Sequence, residues 1–350
     1  MTITKVGVVG CGAISDIYLK NLTNTFDNTC VKAVCDLDSE KTDKAVKKYN
    51  IENIFTLKQM LADDEIKIIV NLTTPKSHYS ICKMALEAGK HVYVEKPLCV
   101  EFEEGLELVS IAEEHGLLIG AAPDTFLGAG IQTCIDLING ERIGVPTSVT
   151  AFMMCPGHES WHPDPEFYYE KGGGPMFDMG PYYLTALVNM LGPVESVAGM
   201  TGMAFEERTI TSKKKNGKKV EVEVPTHING ILKFKNGAIG NIITSFDVFG
   251  HNLPRIEVHG TKGSLSVPDP NTFGGPVKLK SMRNEWEDIV IELPYSENSR
   301  GLGVSDMVNA LEENRINKAN GRIALHVLEL MHGFHWAADT GKNYELTTTF

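Results

Sequence analysis

The sequence predicts an α/β domain with a doubly wound parallel sheet, followed by an α+β domain whose strands pair mainly antiparallel. Three observations predict it. Up to about residue 123, short β-branched runs alternate with helical patterns, the rhythm of repeated βαβ units. After residue 143, strand-like runs follow one another directly, with hairpin signals between them. The length of 350 residues suits two cores, since domains usually run to roughly 100–200 residues. The expected domains are 1–123 and 124–350.

The elements follow in order. "KVGVVG" (5–10) reads as a buried strand, "AISDIYLKNL" (13–22) as an amphipathic helix and "VKAVCD" (31–36) as a second strand. "SEKTDKAVKKYN" (39–50) is a charged helix with Ser39 as its expected N-cap. "IKIIVNL" (66–72) is almost wholly apolar, as a strand covered on both faces should be. "HVYVE" (91–95) and "LLIGAA" (117–122) repeat that pattern. In the second half, Asn216-Gly217 and Asn236-Gly237 predict two-residue hairpin turns. The lysines of "KKKNGKK" (213–219) read as a solvated hairpin tip, and helices are expected over 306–317 and 322–341.

Apolar residues make up 42% and charged residues 22%, which places the chain among globular proteins. A net charge of -12 argues against nucleic-acid binding and against docking on an anionic membrane. Neither a signal-peptide pattern nor a long apolar span is visible. Seven scattered cysteines, an odd number without a C-x-x-C pair, argue against a disulfide framework. A cytoplasmic protein is expected.

"GVVGCGAIS" places Gly10, Gly12, Ala13, Ile14 and Ser15 between a strand and a helix. Glycines there allow a tight turn and close approach to a pyrophosphate, whose charge the helix N-terminus meets. Asp36 ends the next strand, where a carboxylate accepts hydrogen bonds from ribose hydroxyls. No arginine follows it immediately and Asp38 adds negative charge, so NAD is expected over NADP. Thr73, Thr74, Pro75 and His78 in "TTPKSHY", and Glu95 and Lys96 in "EKPL", follow two further strands, where ligands of open α/β sheets bind. The Lys96-Pro97 bond is a candidate cis peptide. His78 reads equally well as a cofactor neighbour or as an ordinary first-turn residue.

"GVVGCGAIS", "TTPKSHY", "EKPL" and "GGGPMFDMGPYY" (172–183), in this order, resemble the GFO/IDH/MocA family of NAD(P)-dependent sugar and polyol dehydrogenases. The resemblance implies a Rossmann domain, a C-terminal domain with a large open antiparallel sheet, and homo-oligomers packed through that sheet. It implies that Lys96 is a catalytic and substrate-positioning residue and that Asp178 binds substrate close to it. One position departs from the pattern: Tyr182 stands where the family's D-x-G-x-H segment carries its acid/base histidine. Within the family, residues 156–183 resemble bacterial glycoside 3-dehydrogenases, among them enzymes acting on C-glucosides such as puerarin. The expected activity is therefore NAD-dependent oxidation of a sugar or glycoside hydroxyl, with a glucosyl 3-OH favoured. An inositol or free-sugar dehydrogenase, or a non-catalytic NAD- and sugar-binding regulator, is the alternative.

Such chemistry needs a base for the hydroxyl proton, and the sequence leaves Lys96, Tyr182 and His162 as candidates. Asp124, at the joint between domains, is a candidate substrate neighbour. The segment His158-Glu159-Ser160-Trp161-His162 fits the zinc-peptidase pattern H-E-x-x-H, but Pro163 pushes His162 out of the helical region and the run is too short for a stable helix. No metal is expected. The segment reads instead as a sugar-binding loop, with Trp161 stacking on a pyranose face and His158 or His162 hydrogen-bonding its hydroxyls or replacing the family's missing histidine.

Overall fold

The computed structural model describes residues 3–350. They pack as two compact units, one of residues up to 128 with 297–328, the other of 129–296 with 329–350. The segment 297–328, which the sequence reading placed in the second domain, thus packs with the first.

The first unit carries six strands: β1 (Thr4–Val9), β2 (Thr29–Cys35), β3 (Asn53–Ile54), β4 (Ile66–Asn71), β5 (His91–Val94) and β6 (Ile119–Ala121). Their order is β3-β2-β1-β4-β5-β6 and every pair is parallel. The order reverses between β1 and β4, both of which present nearly continuous buried runs, and that switch point is where such sheets bind ligands. The connecting helices are α1 (Ser15–Asn24), α2 (Ser39–Tyr49), α3 (Leu57–Ala62), α4 (Pro75–Glu87) and α5 (Phe102–Glu114). Asp38, not Ser39, caps α2, its side chain accepting the Glu40 N–H. The short α3, which the sequence reading passed over, is fixed by a capping box between Thr56 and Gln59. Asn21 and Asn28 draw the returning segment in: Asn21 Nδ2 donates to the carbonyls of Asn298 and Arg300, and Asn28 Nδ2 to that of Ser305.

The second unit opens with α6 (Ala129–Asn139) and β7 (Pro146–Met154), followed by α7 (Gly174–Asp178) and α8 (Gly180–Leu191). Strands β8 (Val194–Gly202), β9 (Glu207–Thr209), β10 (Lys219–Glu221), β11 (His227–Phe234) and β12 (Ile239–Ser245) come next. Then follow β13 (Ile256–Gly260), β14 (Gly263–Val267), β15 (Val277–Ser281), β16 (Glu287–Ile289), helices α9 (Leu302–Glu313) and α10 (Gly321–Thr340), and β17 (Tyr344–Glu345). Of these, α9 belongs to the first unit, as do residues 321–328 of α10.

Nine strands form one sheet in the order β16-β15-β14-β13-β7-β12-β11-β8-β17, antiparallel except for β7 with β12. β11 shows why one face is covered: Ile228, Gly230, Leu232 and Phe234 are buried while Asn229, Ile231 and Lys233 are exposed. Gly230 lies directly beneath the Phe334 ring of α10, where any side chain would collide. On the opposite face Met200, Ile231 and Ile239 remain exposed. The expected two-residue turns are wider. At Asn236-Gly237 the Phe234 N–H bonds to the Ala238 carbonyl across a three-residue loop, with Gly237 at φ +91°. At Asn216-Gly217 the loop spans 210–218, and its strands β9 and β10 form a separate two-stranded sheet. No helix among the described residues is long and apolar enough to cross a membrane.

Candidate functional site

In the first unit the candidate residues collect where β1, β2, β4 and β5 end. Gly10 sits at φ +98°, and a Cβ there would stand 2.7 Å from the Leu72 carbonyl, so only glycine lets the chain leave β1 beside the end of β4. Nothing lies within 4 Å of the corresponding position on Gly12. Ala13 is exposed and Ile14 half-buried, and α1 starts there with no side-chain cap, so its first N–H groups suit an anion. Ser15 departs from the expectation of a ligand contact: it is buried, and its hydroxyl donates to the Gly12 carbonyl at 2.7 Å, closing the turn. Asp36 Oδ2 accepts the Cys11 N–H at 2.6 Å and Oδ1 the Asp38 N–H at 2.9 Å. A carboxylate has about four lone-pair sites, so Asp36 can brace the turn and still accept from a ribose.

Behind this surface lies a layer of struts. Asn71 Oδ1 accepts from the hydroxyl and N–H of Thr73, while Thr74 and Pro75 begin α4. His78 is 0% exposed, its ring nitrogens facing the carbonyl oxygens of Pro97 at 2.7 Å and Thr73 at 3.0 Å. Burial holds its pKa below the usual imidazole range. His78 therefore links the two strand exits from behind, with both ring nitrogens engaged by backbone, as the ordinary structural reading of it has it. Glu95 is also buried, Oε1 accepting from the Tyr18 hydroxyl and Oε2 from the Lys96 N–H. The Lys96-Pro97 peptide is cis.

Asp124 corrects a second expectation. It is 1% exposed, and Oδ2 accepts the N–H groups of Gly301 at 2.8 Å and Gly303 at 3.0 Å, at the start of α9. It caps a helix that the sequence reading placed in the other domain, and its buried carboxylate is committed to that cap. Burial raises its pKa to about 6.

In the second unit the candidates gather on the loop between β7 and α7. His158 Nε2 lies 3.1 Å from Asp178 Oδ2, both side chains largely buried. Tyr168, Phe246 and Trp161 surround the imidazole, with ring centroids 4.2, 4.7 and 5.3 Å away. Trp161 is 61% exposed and can offer a stacking surface. His162 meets Trp161 and Phe167 edge-on, and its Nδ1 accepts the Asp164 N–H at 3.1 Å. Burial, and then the neighbouring His158, hold its pKa below the usual range. Tyr182 is 7% exposed in the first turn of α8; Tyr183 behind it is buried, which raises the pKa of its phenol. His332 and His335 pack against Phe177.

The H-E-x-x-H segment is not a helix, and its glutamate is already engaged. Glu159 Oε1 accepts from Arg208 Nη1 at 2.7 Å, and Arg208 Nη2 bonds Asp247 and the Phe246 carbonyl. Burial disfavours the Arg208 charge, but the bond to Glu159 and the nearby carboxylates outweigh it and raise its pKa. Among the described residues no three His, Cys, Asp or Glu side chains are grouped to hold a metal. The N–H groups of Thr211 and Ser212 also bind the Glu159 carbonyl, and Lys214, Lys215 and Lys218 pair with Asp164 and Glu166. The lysine-rich tip is thus a clamp on the loop. The sequence reading missed Arg208. Its one signal is alternation in β9, where an arginine between exposed Glu207 and Thr209 must point inward.

A family model for the GFO/IDH/MocA oxidoreductases, described as having an NAD-binding Rossmann fold, matches residues 4–122, and the model of the GFO/IDH/MocA C-terminal domain matches residues 131–266. The chain belongs to the GFO/IDH/MocA family. Like its family it is an NAD-dependent oxidoreductase, and the open ground at Gly12, the uncapped α1 and the acceptor Asp36 fit that cofactor. NAD supplies the hydride acceptor or donor; the protein's part is to hold it and to handle the proton.

Among family members, the chain is 31% identical to the inositol 2-dehydrogenase/D-chiro-inositol 3-dehydrogenase of Lactiplantibacillus plantarum over 116 residues, a third of each protein. It is 22% identical to the D-glucoside 3-dehydrogenase of Escherichia coli, across 98% of this chain and 97% of that one. A levoglucosan dehydrogenase solved with NADH and L-sorbose superposes with a TM-score of 0.85 at 18% identity, covering 99% of this chain and 100% of that one, which shows the shared fold.

Proposed function

We propose that the protein oxidises a secondary hydroxyl of a sugar or glycoside with NAD, the glucosyl 3-OH being the favoured position and the product a 3-keto glycoside. The observation that carries the reading is the His158–Asp178 pair at 3.1 Å beside the exposed Trp161. An imidazole next to a carboxylate can orient neighbouring hydroxyls and handle a proton, and an exposed indole can cover the apolar face of a pyranose. Similarity to the D-glucoside 3-dehydrogenase over nearly the whole length of both proteins supports the glycoside over a free inositol. Lys96 is assigned to the reacting hydroxyl and Asp178 to sugar binding. Asp36 and Asp38 disfavour a 2′-phosphate, so NAD should be used in preference to NADP. A second copy of the chain is the proposed occupant of the open sheet face on which Met200, Ile231 and Ile239 are exposed, apolar side chains of the kind that self-association buries.

The test is a screen of glucosides, free sugars and inositols with NAD, followed by NMR location of the new carbonyl. A carbonyl at C3 of the glucosyl ring is expected; one at another carbon overturns the regiochemistry, and no NADH with any of them overturns the reading. Lys96→Ala should cut kcat by about 10²–10⁴-fold while leaving NAD affinity nearly unchanged.

A further inference from the structure

Tyr182 occupies the position of the family's acid/base histidine; with Lys96 assigned to hold the reacting hydroxyl, the histidines of the loop between β7 and α7 are the next candidates for the proton acceptor. Two histidines are at hand, and their hydrogen bonds give them opposite capacities. A neutral imidazole carries one N–H and one lone pair. In His162 the lone pair is already used, because Nδ1 accepts the Asp164 N–H at 3.1 Å. Its proton is therefore on Nε2, and it can present only a donor to a ligand. In His158 the arrangement is reversed. Nε2 faces the Asp178 carboxylate at 3.1 Å, and a carboxylate accepts only, so the proton is on Nε2 and points at Asp178. The lone pair of Nδ1 has no hydrogen-bond partner among the described residues.

From this we infer that His158, not His162 or Tyr182, is the base that removes the proton of the reacting hydroxyl, with Asp178 holding its tautomer. The inference rests on the sugar-oxidation reading above. In the step, the O–H proton passes to His158 Nδ1, the O–H electron pair closes the carbonyl, and the carbinol C–H bond leaves as hydride to NAD. The imidazolium so formed is neutralised by Asp178, and its proton then passes to solvent. His162 Nε2–H is left to donate a hydrogen bond to another sugar oxygen.

The loop is built to keep this ring in place. Tyr168, Phe246 and Trp161 wall it, the Tyr169 hydroxyl accepts the His158 N–H at 3.3 Å, and the adjacent Glu159 is anchored to buried Arg208. The Asp178 carboxylate has a role beyond attraction. Were it an amide, its N–H group could donate to Nε2 and force the proton to Nδ1, which removes the base without removing the ring.

The experiment has a kinetic arm and a spectroscopic arm, both on the full chain. With a glucoside and NAD, His158→Gln and Asp178→Asn should each lower kcat by about 10²–10⁴-fold, whereas His162→Gln should mainly raise KM and keep kcat within about tenfold. NAD binding and thermal unfolding of each variant separate loss of fold from loss of chemistry, with His158→Asn as the second variant if His158→Gln does not fold. In the spectroscopic arm, imidazole ¹⁵N NMR of wild type against His158→Gln should assign the proton to Nε2 and leave Nδ1 bare, and Asp178→Asn should move the proton to Nδ1. A His158→Gln enzyme that keeps more than about a tenth of wild-type kcat, or a wild-type His158 protonated on Nδ1 alone, overturns the inference. Inactivity of the wild type on every sugar would overturn the functional reading instead, while the NMR arm still decides the state of His158.

Discussion

In the first unit, the residues that suit NAD sit at the ends of hydrogen-bonded strands. Gly10 and Gly12 follow β1, Asp36 follows β2, Thr73 follows β4 and Glu95 with Lys96 follows β5. In the second unit, His158, Trp161 and His162 sit on irregular backbone, and what holds that backbone is not a sheet but the buried Arg208 between Glu159 and Asp247, helped by a lysine-rich hairpin. A parallel sheet positions its strand ends as a consequence of folding, so one geometry can serve any dinucleotide-using member of the family. A loop pinned by charges can be rebuilt with few substitutions, which suits the part proposed to contact the sugar. The contrast predicts that damage to the loop anchor should cost stability and substrate turnover, whereas damage to Asp36 should register first as NAD affinity, with a smaller loss of stability from the turn it braces.

The largest expected effect is at the anchor. Arg208→Leu leaves Glu159 and Asp247 buried without their cation, and should destabilise the protein by about 3–5 kcal/mol in chemical denaturation. If the loss is under about 1 kcal/mol, the second unit does not depend on its ion network and the contrast is broken.

Asp124 sharpens the contrast from the other side, as a first-unit residue with a purely structural task. Its carboxyl is raised from about 3.9 in the unfolded chain to about 6 in the fold. A raised carboxyl favours folding when protonated, so its contribution is complete below about pH 3.9 and is lost as pH rises through about 6. Asp124→Asn keeps an oxygen acceptor for Gly301 and Gly303 but cannot ionise. Relative to wild type it should gain about 3 kcal/mol of stability between about pH 4 and about pH 7, measured by denaturant titration at each pH.

Asp36→Ala should weaken NAD binding roughly 10- to 100-fold, from the loss of charge-assisted hydrogen bonds of about 1.5–3 kcal/mol, and should lower unfolding stability by about 1 kcal/mol because the Cys11 and Asp38 N–H groups lose their acceptor; calorimetric titration with NAD and denaturant titration measure the two. The smallest effect is at the clamp. Lys215 meets Asp164 at 2.8 Å and Glu166 at 2.5 Å in ion pairs that are only partly buried. Lys215→Ala should therefore change KM for the sugar less than about threefold at low salt, and by nothing measurable near 1 M NaCl, where such pairs are screened.

How much of this was legible in the sequence follows the same division. The parallel sheet could be read because its strands are short, apolar and spaced by helices, and because the glycine-rich turn, Asp36 and Lys96 follow them directly. The mainly antiparallel second sheet was legible from runs such as that of β11. What could not be read was long-range. Asp124 looked like a cleft residue, and only the return of residues 297–328 to the first unit makes it the cap of α9. His78 stood beside cofactor candidates in sequence, yet its ring turns inward to the Pro97 and Thr73 carbonyls. His158 and Asp178 lie twenty residues apart, joined mostly by irregular backbone with only short helical turns, so no local pattern could pair them. His162 was one of three candidates for the base, and it is the Asp164 N–H on its Nδ1 that argues against it.

The central claim is that hydride leaves a sugar carbinol carbon for NAD, and one measurement addresses it directly. A glucoside deuterated at C3 of the glucosyl ring, incubated with the protein and NAD, should transfer its deuterium to C4 of the reduced nicotinamide, as read by mass spectrometry and NMR of the recovered cofactor. NADH formed without deuterium while the sugar keeps its label at C3 would contradict the account.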